Sequence, residues 1–192
     1  MSKNLNNVRV YGGLATEVWF AKKGAGTLPT TLVEPGAPFE SVGWLHEDGI
    51  DLELSADIEK FKGMQGGTTL RTEVTSTEKS FKIQCIEESP LVSALYWGHE
   101  KPTVTGEGAD RVARIDLPES LRTVERQAVI RFVDDLGVEK FLCCDLVQAT
   151  ERGTVGHKKS DLTGYEITFE IIGDSYILTN AESFLEAGVE AP

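Results

Sequence analysis

The side chains that most often carry nucleophilic, acid–base or metal chemistry are few in this sequence: His46, His99 and His157, with Cys85, Cys143 and Cys144. No HxH, HxxxH or CxxC spacing brings them together as metal ligands, and no GxSxG turn presents a serine nucleophile. A thiol hydrolase would need one cysteine beside a histidine. Cys85, however, follows Phe81 and Ile83 at alternating apolar positions, where a thiol is buried and inert. The run Gly63-Met64-Gln65-Gly66-Gly67 has the glycines of a phosphate cradle but no following Lys-Ser or Lys-Thr, and strand-like sequence comes next. Paired carboxylates could share acid and base roles, yet Glu87-Glu88 suits a helix start and Asp134-Asp135 a turn. The residues therefore predict no catalytic, cofactor-binding or metal-binding set.

The carboxylates that stand out are Asp51, Glu53, Asp57 and Glu59. They alternate with Ile50, Leu52, Leu54, Ala56 and Ile58 over ten residues. A strand sorts such a run onto two faces, and a helix would scramble it. The expectation is an apolar face in the core and four carboxylates on the opposite face. Like charges on one face stay hydrated, so this is either an ordinary solvated face or a functional negative surface.

Period two dominates elsewhere: Thr68 to Val74, Phe81 to Cys85, Val112 to Leu117, Ala128 to Phe132, Val138 to Val147, and Tyr165 to Ile171. Glu47-Asp48-Gly49 reads as a hairpin turn between Val42 to Leu45 and the acidic run, and Asp134 to Gly137 as a second hairpin. If Cys143 and Cys144 lie on a strand they point to opposite faces, which predicts at most one in the core. One short helix is expected over about 88–97, capped by Ser89, started by Pro90 and ended at Gly98. Residues 22–41 form a long loop with Gly24, Gly26, Pro29, Pro35, Gly36 and Pro38, whose Leu28, Leu32, Val33 and Phe39 need something to pack against. A weak helical turn, Ala181 to Leu185, begins a mobile tail over about 181–192. Trp19, Trp44 and Trp97 are dispersed with no basic neighbours, which fits core or interface anchors and not a base-stacking platform.

The 192 residues carry 19 Lys and Arg against 31 Asp and Glu, a net charge of −12. That length suits one domain, 1–192, and the composition can bury a core. The acidic balance opposes phosphate backbones and anionic lipids, so neither specific nucleic-acid binding nor membrane binding is expected. No apolar stretch approaches the roughly 18 residues of a membrane span. The start is polar, and an odd set of three cysteines fits reduced thiols made in a cytoplasm.

The order Phe39-Glu40-Ser41-Val42-Gly43-Trp44-Leu45, Glu47-Asp48-Gly49, the acidic run, Gln65-Gly66-Gly67 with Leu70-Arg71-Thr72, Phe81-Lys82-Ile83, Ile86-Glu87-Glu88 and Tyr96-Trp97-Gly98 resembles the major tail tube proteins of long-tailed, siphovirus-type bacteriophages, particularly those of actinobacterial hosts. The resemblance covers Phe39 to Gly98. It implies a mainly β protein, a β-sandwich with one short flanking α-helix. Six copies form a ring, and stacked rings form the hollow virion tail through which the genome is delivered. It implies no enzyme activity and no cofactor, and partners that are further copies of the chain, the tape measure protein, and the tail terminator or tip proteins. On that basis Leu28, Leu32, Val33 and Phe39 are candidates for a ring-to-ring contact, on a loop mobile in the free subunit. Asp51, Glu53, Asp57 and Glu59 are candidates for an acidic lumen that DNA passes without sticking. Two other readings are a tube protein of a contractile injection or secretion system and a monomeric immunoglobulin-like binding module.

Overall fold

A computed structural model describes residues 4–99 and 101–187. Ten strands and two α-helices follow one another along the described chain: β1 Glu17–Lys22, β2 Glu40–Ser41, β3 Leu45–Lys62, β4 Thr69–Cys85, α1 Pro90–Trp97, β5 Thr103–Thr105, β6 Val112–Arg114, β7 Glu125–Val133, β8 Glu139–Arg152, β9 Tyr165–Ile171, β10 Ser175–Thr179 and α2 Glu182–Ala187. The protein is mainly β, and every strand pairing is antiparallel.

One sheet runs β2-β1-β7-β8-β9-β4-β3, with β10 also beside β8. It is folded over on itself. Phe20 of β1 reaches Phe169 of β9 with ring centroids 4.8 Å apart, and Phe169 stacks on Phe81 of β4 at 5.1 Å, although β1 stands several strands away. These rings centre the main core, with Val18, Ile83, Ile130, Leu142, Cys144, Val147 and Ile167 around them. Helix α1 closes one side through Val92, Leu95 and Tyr96. Its ends are those the sequence predicts: Ser89 Oγ accepts from Val92 N–H at 3.2 Å, and Gly98 takes the left-handed conformation at φ 69°.

The other face of β1, β7 and β8 is covered as well. Trp19, Ala21, Val129, Phe141 and Cys143 form a second core cluster there, under Phe39, Leu28, Leu32 and Leu178. Cys143 and Cys144 do point to opposite faces, but both are fully buried because both faces are covered. This corrects the expectation of one core thiol. Loss of solvent pushes Cys85 and Cys144 up to about 12 and Cys143 up to about 11, so all three are inert thiols at neutral pH.

Other expectations change too. Glu47-Asp48-Gly49 is no hairpin turn: β3 runs straight through it as an irregularity between the Leu45–Cys85 and Ile50–Ile83 pairs, with Gly49 at φ 78°. The true turn of this hairpin is Gly63 to Thr68, where Gly63 N–H bonds Thr68 O at 2.8 Å. The Asp134 to Gly137 hairpin stands as expected, with Asp134 N–H on Val138 O. The strand expected over Val112 to Leu117 is only Val112–Arg114, paired to β5 in a small exposed hairpin. At the C-terminal end the helical turn extends into a second helix, α2, and the tail beyond residue 187 lies outside the described residues.

Candidate functional site

β3 and β4 outgrow the body. β9 supports β4 only from Ser80 to Cys85, so between residues 53 and 79 each strand of the hairpin has only the other as a neighbour. The result is an arm, solvated on both faces. Leu52, Leu54, Ile58, Leu70 and Val74 are all exposed, Leu54 at 72% and Leu70 at 74%. The expectation that Leu52, Leu54 and Ile58 lie in the core is therefore overturned. The alternation sorts them onto one face, but no second layer reaches that far. Ile50, at the root, is half-buried against the main core.

The acidic face is real as a face. Asp51 pairs with Lys82, Glu53 with Ser80, Asp57 with Ser76 and Glu59 with Glu73, on the side opposite Leu52 and Leu54. Glu78 and Glu73 join them there, while Lys82 and Arg71 are the cations. Lys82 Nζ lies 3.3 Å from Asp51 and 4.0 Å from Glu166. The hydrogen bond to Asp51, then the charge of Glu166, raises the Lys82 ammonium above its usual range. Ser76 Oγ donates to Asp57 at 2.8 Å. Arg71 pairs with Glu73 and so relieves the like-charge Glu59–Glu73 rung.

The tip reverses the chemistry of the shaft. From Lys60 to Thr72 the sequence holds Lys60, Lys62 and Arg71 and no carboxylate, with Phe61, Met64 and Leu70 among them; Met64 is 96% exposed. In a chain of net charge −12 that concentration was legible in the sequence, as thirteen consecutive residues without an acid, yet reading only the alternating shaft passes over it.

At the arm's root lies a groove of about 750 Å³ between the segment Tyr11 to Glu17, the irregular stretch Gly43 to Leu52, Glu87, Phe132 and Lys140. Its apolar lining includes Leu14 and Trp44, both well exposed, and its acids are Glu17, Glu47, Asp48 and Glu87. Glu87 accepts from Trp44 N–H at 3.2 Å and fills the space where a Cβ on Gly43 would sit, so a glycine with φ 74° is required at that corner. Asp48 folds back on His46 Nδ1 at 3.0 Å. Lys140 lies 4.8 Å over the Tyr11 ring.

The loop candidates part company. Phe39 is buried, and Leu28 and Leu32, partly buried, pack beside it in the second cluster, so these residues find partners within the protomer. Gly26 permits this, since a Cβ there would overlap the Phe39 ring. Pro29 O accepts from Tyr176 O–H at 2.6 Å, and Glu34 pairs with Arg131 at 3.0 Å. Val33 remains exposed at 64%.

The histidines stay apart: His46 sits in the groove, His99 is buried with its Nε2 2.8 Å from Ser93 Oγ, and His157 meets Thr163 on the surface. Among the described residues no cluster of three His, Cys, Asp or Glu is placed to hold a metal, and no helix is long and apolar enough to cross a membrane.

The class that the fold defines is a mainly β protein, a curled antiparallel sheet that sends out a long two-faced hairpin. The family model for phage tail tube proteins matches residues 1–186, and the chain belongs to that family. Its members are structural components of the virion tail. No curated protein sequence matches the chain. Among solved structures it is similar to a chain from the cryo-EM structure of the anti-feeding prophage baseplate, 6-fold symmetrised, at 12% identity and a TM-score of 0.44, covering 93% of this chain and 97% of that one.

Proposed function

We propose that the protein, as a single domain, assembles as six-membered rings that stack into the hollow tail tube of a long-tailed, siphovirus-type phage of an actinobacterial host, and that the genome is delivered through it. The observation that carries this reading is the arm. A two-stranded hairpin with no third layer is marginal in water, and this one exposes Leu52, Leu54, Ile58, Leu70 and Val74 along its length. Such a face is stable when a neighbouring subunit covers it. β3 is also an edge strand, open to pairing with another chain, and ring closure gives such an edge a partner.

With the apolar face turned to neighbours, Asp51, Glu53, Asp57 and Glu59 are left on the side that can line the lumen. Six copies of a −12 chain carry roughly −72, a field that keeps DNA off the wall. In this reading Val33 is the loop residue available to an adjacent ring, while Leu28, Leu32 and Phe39 support the loop from beneath. The tape measure protein and the terminator or tip proteins are the other partners, and synthesis is in the host cytoplasm. The protein needs no cofactor or metal and catalyses no reaction.

Electron microscopy of the purified protein, with light scattering from dilute to concentrated samples, tests the assembly. Rings or tubes of six-fold symmetry are expected. A monomer at every concentration, also when a tail initiator complex is added, overturns it. For the lumen, replacing the four carboxylates by lysine should leave tails that retain DNA. Normal genome ejection from such tails would move the acidic face to the outside.

A further inference from the structure

We propose that the groove at the root of each arm is the socket for the arm tip of a second copy. The proposal rests on the tube reading and names the contact that holds the copies together. The tip offers two cations, Lys60 and Lys62, on the face that carries Leu54 and Ile58, with Met64 exposed at the turn, while Arg71 lies on the opposite face paired with Glu73. The groove offers Glu17, Glu47, Asp48 and Glu87 against the single cation Lys140, around Leu14, Trp44 and Leu52. Each surface sets exposed apolar side chains beside charge, and the charges have opposite sign.

A protomer cannot satisfy its own groove. From Leu52 to Lys62 the paired strands extend roughly 30 Å, and a paired hairpin does not fold back onto its root. The matching surface must come from another copy. Because tip and socket are different patches, the contact is head-to-tail, and each copy both gives a tip and receives one. Such a contact closes a ring when its rotation closes and otherwise runs on from copy to copy, and a tube of stacked rings uses contacts of both kinds. Exposed ion pairs are individually weak, so the apolar side chains hold the contact and the charges set which surfaces meet.

Charge exchange tests this directly. The Lys60→Glu/Lys62→Glu variant and the Glu47→Lys/Asp48→Lys variant should each stay folded, since all four residues are exposed. Each alone should need about a hundredfold or more protein to assemble, because like charges then face each other. Mixed in equal amounts they should assemble again, as every reversed tip now finds a reversed socket and every native tip a native one. A merely structural role for these residues would not produce rescue by mixing.

A second measurement uses the burial of the native thiols. Chains carrying Met64→Cys and Leu14→Cys together, treated with a short bismaleimide, should give a ladder of covalent multimers, while either substitution alone stops at dimers. Tubes that form without a ladder, or charge variants that fail to rescue each other, place the tip elsewhere and overturn the socket while the tube reading stands. No tubes and no ladder overturn both.

Discussion

β9 and β3 are written in the same pattern and meet opposite fates. In β9, Tyr165, Ile167, Phe169 and Ile171 alternate with Glu166, Thr168 and Glu170, and the first set is buried. In β3, Ile50, Leu52, Leu54 and Ile58 alternate with Asp51, Glu53, Asp57 and Glu59, and only Ile50 is sheltered at all. The difference lies in neighbours. β9 is held between β8 and β4 and faces Phe20 from the folded-over β1, whereas β3 is the edge strand and outruns the layer that could cover it. Alternation assigns side chains to faces, and the number of adjacent layers decides whether a face is dry.

The contrast is sharpest where truncation should hurt. Phe169→Ala removes a ring packed on both Phe20 and Phe81, and about 3–5 kcal/mol of folding stability should go with it, read by urea unfolding of dilute protein. A loss below about 1 kcal/mol would mean that the body is as loosely supported as the arm.

The thiols offer the next largest effect, again confined to the body. Cys85 and Cys144 are held up to about 12 in the folded chain against 9.0 for an unperturbed thiol. Between those values the unfolded chain releases thiol protons that the folded chain keeps, so stability is fully present below about pH 9 and falls as pH rises toward 12. The expected slope is about 1 kcal/mol per pH unit for each thiol, and Cys85→Ala should flatten it in a series of urea midpoints. An unchanged slope would show that other groups cause the alkaline loss.

Ser89→Ala should cost about 1 kcal/mol by removing the cap on α1, with Ser89→Asp restoring most of it. The smallest effect on folding belongs to the arm. Leu54→Ser with Ile58→Ser should change the unfolding of dilute monomer by no more than about 0.5 kcal/mol, since both side chains are already wet. The same pair should abolish assembly in micrographs. A large folding loss from this pair would show that the arm's apolar face is covered within the protomer after all.

Much was settled by local chemistry. The cap, proline and terminal glycine of α1 were legible because each acts on backbone groups within a turn of itself. The face shared by Asp51, Glu53, Asp57 and Glu59 was legible because the pleat has a period of two whatever the strand packs against. The Asp134 to Gly137 turn, the β-rich class and the family pattern were in the sequence on the same terms.

What remained for the tertiary structure was everything that depends on a second surface. Whether Leu54 is dry depends on how far β9 runs along β4; whether Cys143 is buried along with Cys144 depends on a loop some hundred residues earlier folding Phe39 over the sheet. The turn at Glu47-Asp48-Gly49 became a strand irregularity because β4 continued to pair on its far side. The groove is made of segments far apart in the chain, from Tyr11 to Lys140, so neither its acids nor their match to the tip can be read from spacing. Local sequence chooses conformations a few residues at a time. Burial and sockets arise only when distant segments meet, and the register of this sheet decides which ones do.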